Sequence, residues 1–113
     1  MMRLGFIGAG NMARALLAGI LEQGVLAPAQ VHVCDCDGSK VAALKDAYGV
    51  TTHATNAALA QSCDVVVLAV KPAHCAAALE QIKESCRDKA LVSVVTGWAR
   101  ERLARYLDPT CRI

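Results

Sequence analysis

The 113 residues predict an α/β domain built on a doubly wound parallel sheet of the Rossmann type. Three observations carry that prediction. Strand-like and helix-like stretches alternate along the chain, the run Asp64 to Val70 is apolar almost without a break, and a glycine-rich turn separates the first strand from the first helix. An unbroken apolar run marks a strand covered on both faces, as strands of parallel sheets are. Each right-handed crossover between such strands lays a helix on one face of the sheet.

The elements follow in order. Arg3 to Ile7 is a β-rich run ended by Gly8-Ala9-Gly10. A helical pattern starts at Asn11, with Met12, Leu16 and Ile20 beside Ala13, Leu17 and Leu21 on adjoining rows of one broad apolar face, and Gly24 closes it. After a turn containing Pro28, Val31 to Cys34 reads as a second strand and Ser39 to Tyr48 as a helix stopped by Gly49. Val50 to Thr52 is a weak third strand and Asn56 to Gln61 a short helix. Lys71-Pro72 breaks the fourth strand, and the helix beyond it aligns Cys75, Leu79, Ile82 and Cys86 on one stripe. Leu91 to Val95 forms a fifth strand and Thr96-Gly97 a turn. Ala99 to Leu107 is then a helix with Leu103 and Leu107 inward and Arg100, Arg102 and Arg105 outward. Asp108-Pro109 ends it, and Thr110 to Ile113 reads as the start of a sixth strand.

Composition narrows the function. Twelve Lys+Arg against ten Asp+Glu give a net charge of +2, divided as −1 before Ile82 and +3 from there on, so no basic stripe for nucleic acid emerges. No uncharged apolar run reaches the roughly 18 residues of a membrane span, and Asn11 and Arg14 interrupt the N-terminal candidate for a signal peptide. The expectation is a cytoplasmic protein that binds neither membrane nor nucleic acid. Its six cysteines include no Cys-x-x-Cys pair and are expected to be reduced and mostly buried. Hydrophobic residues make up 55% of the chain, more than a domain of this size readily hides.

Gly8-x-Gly10-x-x-Ala13 follows the first strand and opens the first helix, the context of a dinucleotide fingerprint. Gly8 permits the tight turn, Gly10 lets backbone approach a pyrophosphate, and Ala13 allows close helix–strand packing. Free N–H groups at the helix start, with the positive end of its dipole, favour phosphate. Asp35 lies 25 residues after Gly10, at the end of the second strand, where an acid reads the adenine ribose. An ionised Asp35 accepts hydrogen bonds from ribose hydroxyls and repels a 2′-phosphate. Two unit charges about 4 Å apart at an effective dielectric near 20 interact by about 4 kcal/mol, and a third of that is about tenfold in affinity. The cofactor expected is therefore NAD(P)H, with NADH preferred; the other reading has Ser39 and Lys40 holding a phosphate. Cys34 and Cys36 lack further ligands at metal-site spacing, and no metal is expected. His32, His53 and His74 are scattered, with solvated or capping roles expected, and no nucleophile–base arrangement or carboxylate pair marks a catalytic residue.

Three segments carry a family resemblance: Gly5-Phe6-Ile7-Gly8-Ala9-Gly10-Asn11-Met12-Ala13, Leu68-Ala69-Val70-Lys71-Pro72, and Leu91-Val92-Ser93-Val94-Val95-Thr96-Gly97. Together they closely resemble the N-terminal half of pyrroline-5-carboxylate reductases, and the likeness extends over essentially the whole chain. It implies that residues 1–113 are the dinucleotide-binding domain of an oxidoreductase that reduces the C=N bond of 1-pyrroline-5-carboxylate to proline. The resemblance places Ile7 to Met12, Asn56, Ala69 to Pro72 and Val95 to Gly97 on the cofactor. It also implies a following helical domain, absent from this chain, which forms the homo-oligomer and supplies the pocket for the small cyclic imine. This piece alone is expected to bind cofactor without turnover, and apolar surface near Leu103, Leu107 and Ile113 is expected to have lost its cover. Asp35 and Cys36 stand where the family commonly has small polar or basic residues, and Trp98 replaces a small aliphatic one. The alternatives are a non-catalytic NAD(P)-binding module and a related β-hydroxyacid dehydrogenase-type oxidoreductase.

Overall fold

A computed structural model describes residues 2–113. Five parallel strands, β1 (Leu4–Ile7), β2 (Val31–Cys34), β3 (Thr51–Thr52), β4 (Val65–Leu68) and β5 (Ala90–Ser93), form one sheet in the order β3-β2-β1-β4-β5. The helices are α1 (Asn11–Glu22), α2 (Gly38–Tyr48), α3 (Asn56–Ser62), α4 (Cys75–Ile82) and α5 (Arg100–Ala104). The chain therefore winds outward from β1 in both directions, and strand order reverses between β1 and β4. Such a reversal opens a crevice at the carboxyl ends of the strands.

Alternation along each strand divides the interior into two cores. Leu4 and Phe6 of β1, Val31 and Val33 of β2, and Val67 of β4 face α1 and α2, with Ala13, Leu17 and Leu44 packed on them. Ile7, Cys34, Val66, Leu68 and Leu91 face the opposite layer, against Leu59 of α3, Leu79 and Ile82 of α4, and Leu103 of α5. Gly5 sets the approach of α3: a Cβ there would stand 2.7 Å from Cys63 Sγ. Lys89 anchors the same C-terminal end of α3 by donating to the Ala60 and Gln61 carbonyls, where a cation also suits the helix dipole.

The sequence stripe Cys75, Leu79, Ile82 and Cys86 is fully buried. Five cysteines are buried, only Cys36 is exposed, and all six are free thiols. Trp98 packs against Tyr106 at 5.5 Å between ring centroids, with the Arg102 guanidinium 3.7 Å above its ring.

Several expectations need correction. Met12 and Leu16 are exposed, because Ala13 and Leu17, with Ile20 and Leu21 partly buried a turn further on, are the residues of α1 that pack onto the sheet. The last helix is shorter than Ala99 to Leu107, since its final turns tighten into i→i+3 bonds such as Tyr106 N–H to Leu103 carbonyl. The sixth strand reduces to one parallel bridge between Ala90 and Arg112. Leu103 and Leu107 are buried and Ile113 packs on the α3–α4 core, so bare apolar surface lies elsewhere, at Met12, Leu16, Val92 and Val94 among others. Val92 and Val94 point to the face that α1 and α2 cover only as far as β4.

Candidate functional site

The turn after β1 is pinned from both sides. Gly8 adopts φ +103°, a region L side chains avoid, and its N–H donates to the Cys34 carbonyl at 2.8 Å. A Cβ on Gly8 would strike the Ala69 carbonyl. Gly10 differs: its φ of −78° suits any residue, and a Cβ there would meet nothing within 4 Å. The protein's own packing therefore does not require glycine at position 10, and the space above that backbone is open.

Gly10 is also the N-cap of α1, which no side chain caps. By contrast, Asp37 accepts from the Ser39 N–H at 3.0 Å at the start of α2, and Thr55 accepts from the Ala58 N–H at 3.1 Å at the start of α3. The first turn of α1 itself contains no acidic residue. Its N–H groups form a ready anion cradle, and the missing Cβ at Gly10 leaves it accessible.

Asp35 closes one side of this turn. Its Oδ2 accepts from the Ala9 N–H at 2.7 Å and its Oδ1 from the Asp37 N–H at 2.8 Å, so the carboxylate joins the β1–α1 and β2–α2 loops. Burial alone would raise its pKa. The Asp37 and Ala9 N–H groups, the Cys36 thiol and the Lys40 charge outweigh that and hold it below the usual carboxylate value. Each oxygen keeps a lone pair for a further donor.

A cavity of about 450 Å³ runs across the strand ends over this turn. Of the residues expected at the cofactor, Ile7, Gly8, Gly10, Asp35, Asn56, Ala69, Val70 and Lys71 line it. Ala9, Asn11, Met12, Pro72, Val95, Thr96 and Gly97 are not in its wall; Met12 is exposed, and Val95 is buried in the α3–α4 core. Sequence reasoning missed the part of the wall that α4 and the turn before it supply, where His74, Ala78 and Gln81 follow one another at helical spacing. That stripe was legible as a period, but small and polar residues beside an apolar stripe gave no reason to single it out. Gln81 also accepts from the Asn56 side-chain N–H at 2.8 Å.

The histidines depart from expectation. His32 Nδ1 and His53 Nε2 are 2.7 Å apart, because the β2–β3 register sets His32 beside Thr51 and brings His53 alongside. His32 is buried, and its pKa is lowered by burial, then by His53 and Arg3; burial also lowers that of His53. His53, with Asp35 and Cys36, borders a second hollow of about 440 Å³. Among the described residues no group of three His, Cys, Asp or Glu side chains is arranged to hold a metal ion. No helix among them is long and apolar enough to cross a membrane.

Strand order, glycine turn and cleft define a Rossmann-type fold of the kind that dinucleotide-dependent oxidoreductases use. The chain belongs to the family described as NADP oxidoreductase, coenzyme F420-dependent, whose model matches residues 3–97. The pyrroline-5-carboxylate reductase of Escherichia coli is 37% identical over 106 residues, which are 93% of this chain and 39% of that protein. Among solved structures, a pyrroline-5-carboxylate reductase from Coxiella burnetii superposes with a TM-score of 0.90 at 30% identity, covering 96% of this chain and 40% of the other. The pyrroline carboxylate reductase of Plasmodium falciparum, with NADP bound, gives 0.79 at 25% identity over 96% of this chain and 38% of its own. The chain thus spans about 39% of the length of the curated relatives it matches.

Proposed function

We propose that this chain is the dinucleotide-binding domain of a pyrroline-5-carboxylate reductase, which reduces the C=N bond of 1-pyrroline-5-carboxylate to give proline at the expense of NAD(P)H. The observation that carries the reading is the open space over Gly10 at an uncapped helix start, a cradle that packing does not explain and a pyrophosphate would fill. The names of the relatives supply the substrate. When bound, the nicotinamide supplies hydride. The protein's part is to bind and orient: α1 holds the diphosphate by its N–H groups, Asp35 takes the adenine ribose, and the β4 end, Ala69 to Lys71, borders the rest of the cavity that Asn56 also lines.

Residues 1–113 form the cofactor unit in this reading, and groups that hold the imine belong to the remaining length that the relatives possess. The isolated chain should bind dinucleotide without forming proline. Binding is measured by calorimetric titration with NADH and NADPH. Lack of saturable binding of either at millimolar concentration would sink the reading, and proline formation by the chain alone would refute the division of labour.

Within that reading, NADH is preferred. Asp35 is held ionised against the cavity, and a 2′-phosphate placed beside it would be repelled. Lys40, which lines the same cavity, is the competing influence. Asp35→Ser should shift the affinity ratio toward NADPH by about tenfold. A wild-type chain that binds NADPH more tightly would refute the preference.

A further inference from the structure

The two nicotinamide dinucleotides differ by one group, a phosphate on the 2′-oxygen of the adenine ribose. What that group meets depends on the segment beside Asp35. The Asp37 N–H donates to Asp35 Oδ1 at 2.8 Å, so the start of α2 lies one hydrogen bond away from the carboxylate assigned to that ribose. Asp35, Asp37 and Lys40 line the same cavity.

A phosphate needs several donors at once, and a helix start is where a chain offers them. At α2 they are already taken. The Ser39 N–H donates to Asp37 Oδ1 at 3.0 Å and the Ser39 hydroxyl to the same oxygen at 2.6 Å, while the Lys40 N–H donates to the Asp37 carbonyl at 3.2 Å. The start of α1 is the contrast, since no side chain caps it. The chain thus leaves the α1 start open to an anion and fills the α2 start with an anion of its own. Asp35 acts on a 2′-phosphate by charge. Asp37 adds a different obstacle, because a phosphate seated there must first displace a carboxylate that stays tethered to the same loop.

We propose that Asp37 is a second specificity-determining residue: its carboxylate occupies the Ser39 donors at the start of α2, so that a 2′-phosphate finds them spent and the unphosphorylated cofactor is favoured. This rests on the cofactor reading above and adds to it a residue that acts by holding donors back rather than by touching the ribose.

The test reads the ratio of the NADPH and NADH dissociation constants for the full chain, by calorimetry. A general loosening of the loop weakens both ligands alike and leaves the ratio where it was. Asp37→Gly frees both Ser39 donors at a position where glycine is tolerated, and should move the ratio toward NADPH by about tenfold. Asp37→Asn removes the charge and keeps an acceptor for Ser39, so it should move the ratio by about threefold or less. Ser39→Ala should leave the ratio of the wild-type chain unchanged, because its donors are not available there. In the Asp37→Gly background the same substitution should cancel most of the gain. An unchanged ratio in Asp37→Gly, equal shifts in the Gly and Asn variants, or an effect of Ser39→Ala that is the same in both backgrounds would overturn the proposal while leaving the cofactor reading intact. Failure of the wild-type chain to bind NADH would overturn both.

Discussion

Gly8 and Gly10 stand two residues apart and do different work. The first is demanded by the fold, through φ +103° and contact with the Ala69 carbonyl; the second is demanded by nothing inside the protein. Gly8→Ala should lower stability by roughly 2–4 kcal/mol, read as a fall in the urea midpoint, because strain and a backbone clash combine. Gly10→Ala should leave that midpoint nearly unchanged and weaken dinucleotide binding at least about tenfold. If Gly10→Ala unfolds the chain instead, the openness above it has been misjudged. The motif was legible in the sequence as a glycine turn between strand and helix. Which glycine serves which purpose was not, because the answer depends on β4, about sixty residues along the chain. Gln81 was hidden for the same reason: its place in the cavity wall beside Asn56 depends on how two helices pack.

Pairs of elements bring together what period analysis keeps apart. Periodicity identified all five strands and their parallel sense, because burial on both faces writes itself into composition. It could not say how far each helix overlies the sheet, and Met12 and Leu16, on the broad apolar face that the period gives α1, lie exposed. Nor could it find the histidine pair, which exists only through the β2–β3 register. That pair has a pH consequence. Burial first, and for His32 also the charges of His53 and Arg3, hold both pKa values below the ordinary histidine value of 6.5, so the folded chain prefers neutral imidazoles. The unfolded chain takes up protons near pH 6.5, hence the pair's contribution is complete above that pH and is lost as pH falls through and below it. Melting temperature should drop between pH 7 and 5, and His53→Gln should flatten that drop. Equal slopes in the two proteins would exclude the pair as its source. Asp35 and Asp37, whose pKa values are lowered, act in a separate window: their support is present above about pH 4 and lost below it.

Across the whole molecule the sheet is a partition. Every buried cysteine, Cys34, Cys63, Cys75, Cys86 and Cys111, belongs to the core on the α3–α4 side, and none to the core under α1 and α2. Burial raises their pKa values, to about 11 for Cys63 and about 12 for Cys86, so at neutral pH they are thiols rather than the reactive thiolates. Cys36 alone is exposed. A colorimetric disulfide reagent should therefore titrate one sulfur at once in the native chain, and the other five only as structure opens; immediate reaction of several would contradict the packing. The lopsided placement gives the chain a chemical gauge of its own. Labelling rates in mild denaturant report on one hemisphere alone, so comparing them with amide exchange in α1 and α2 tells whether the two halves come apart together or in turn.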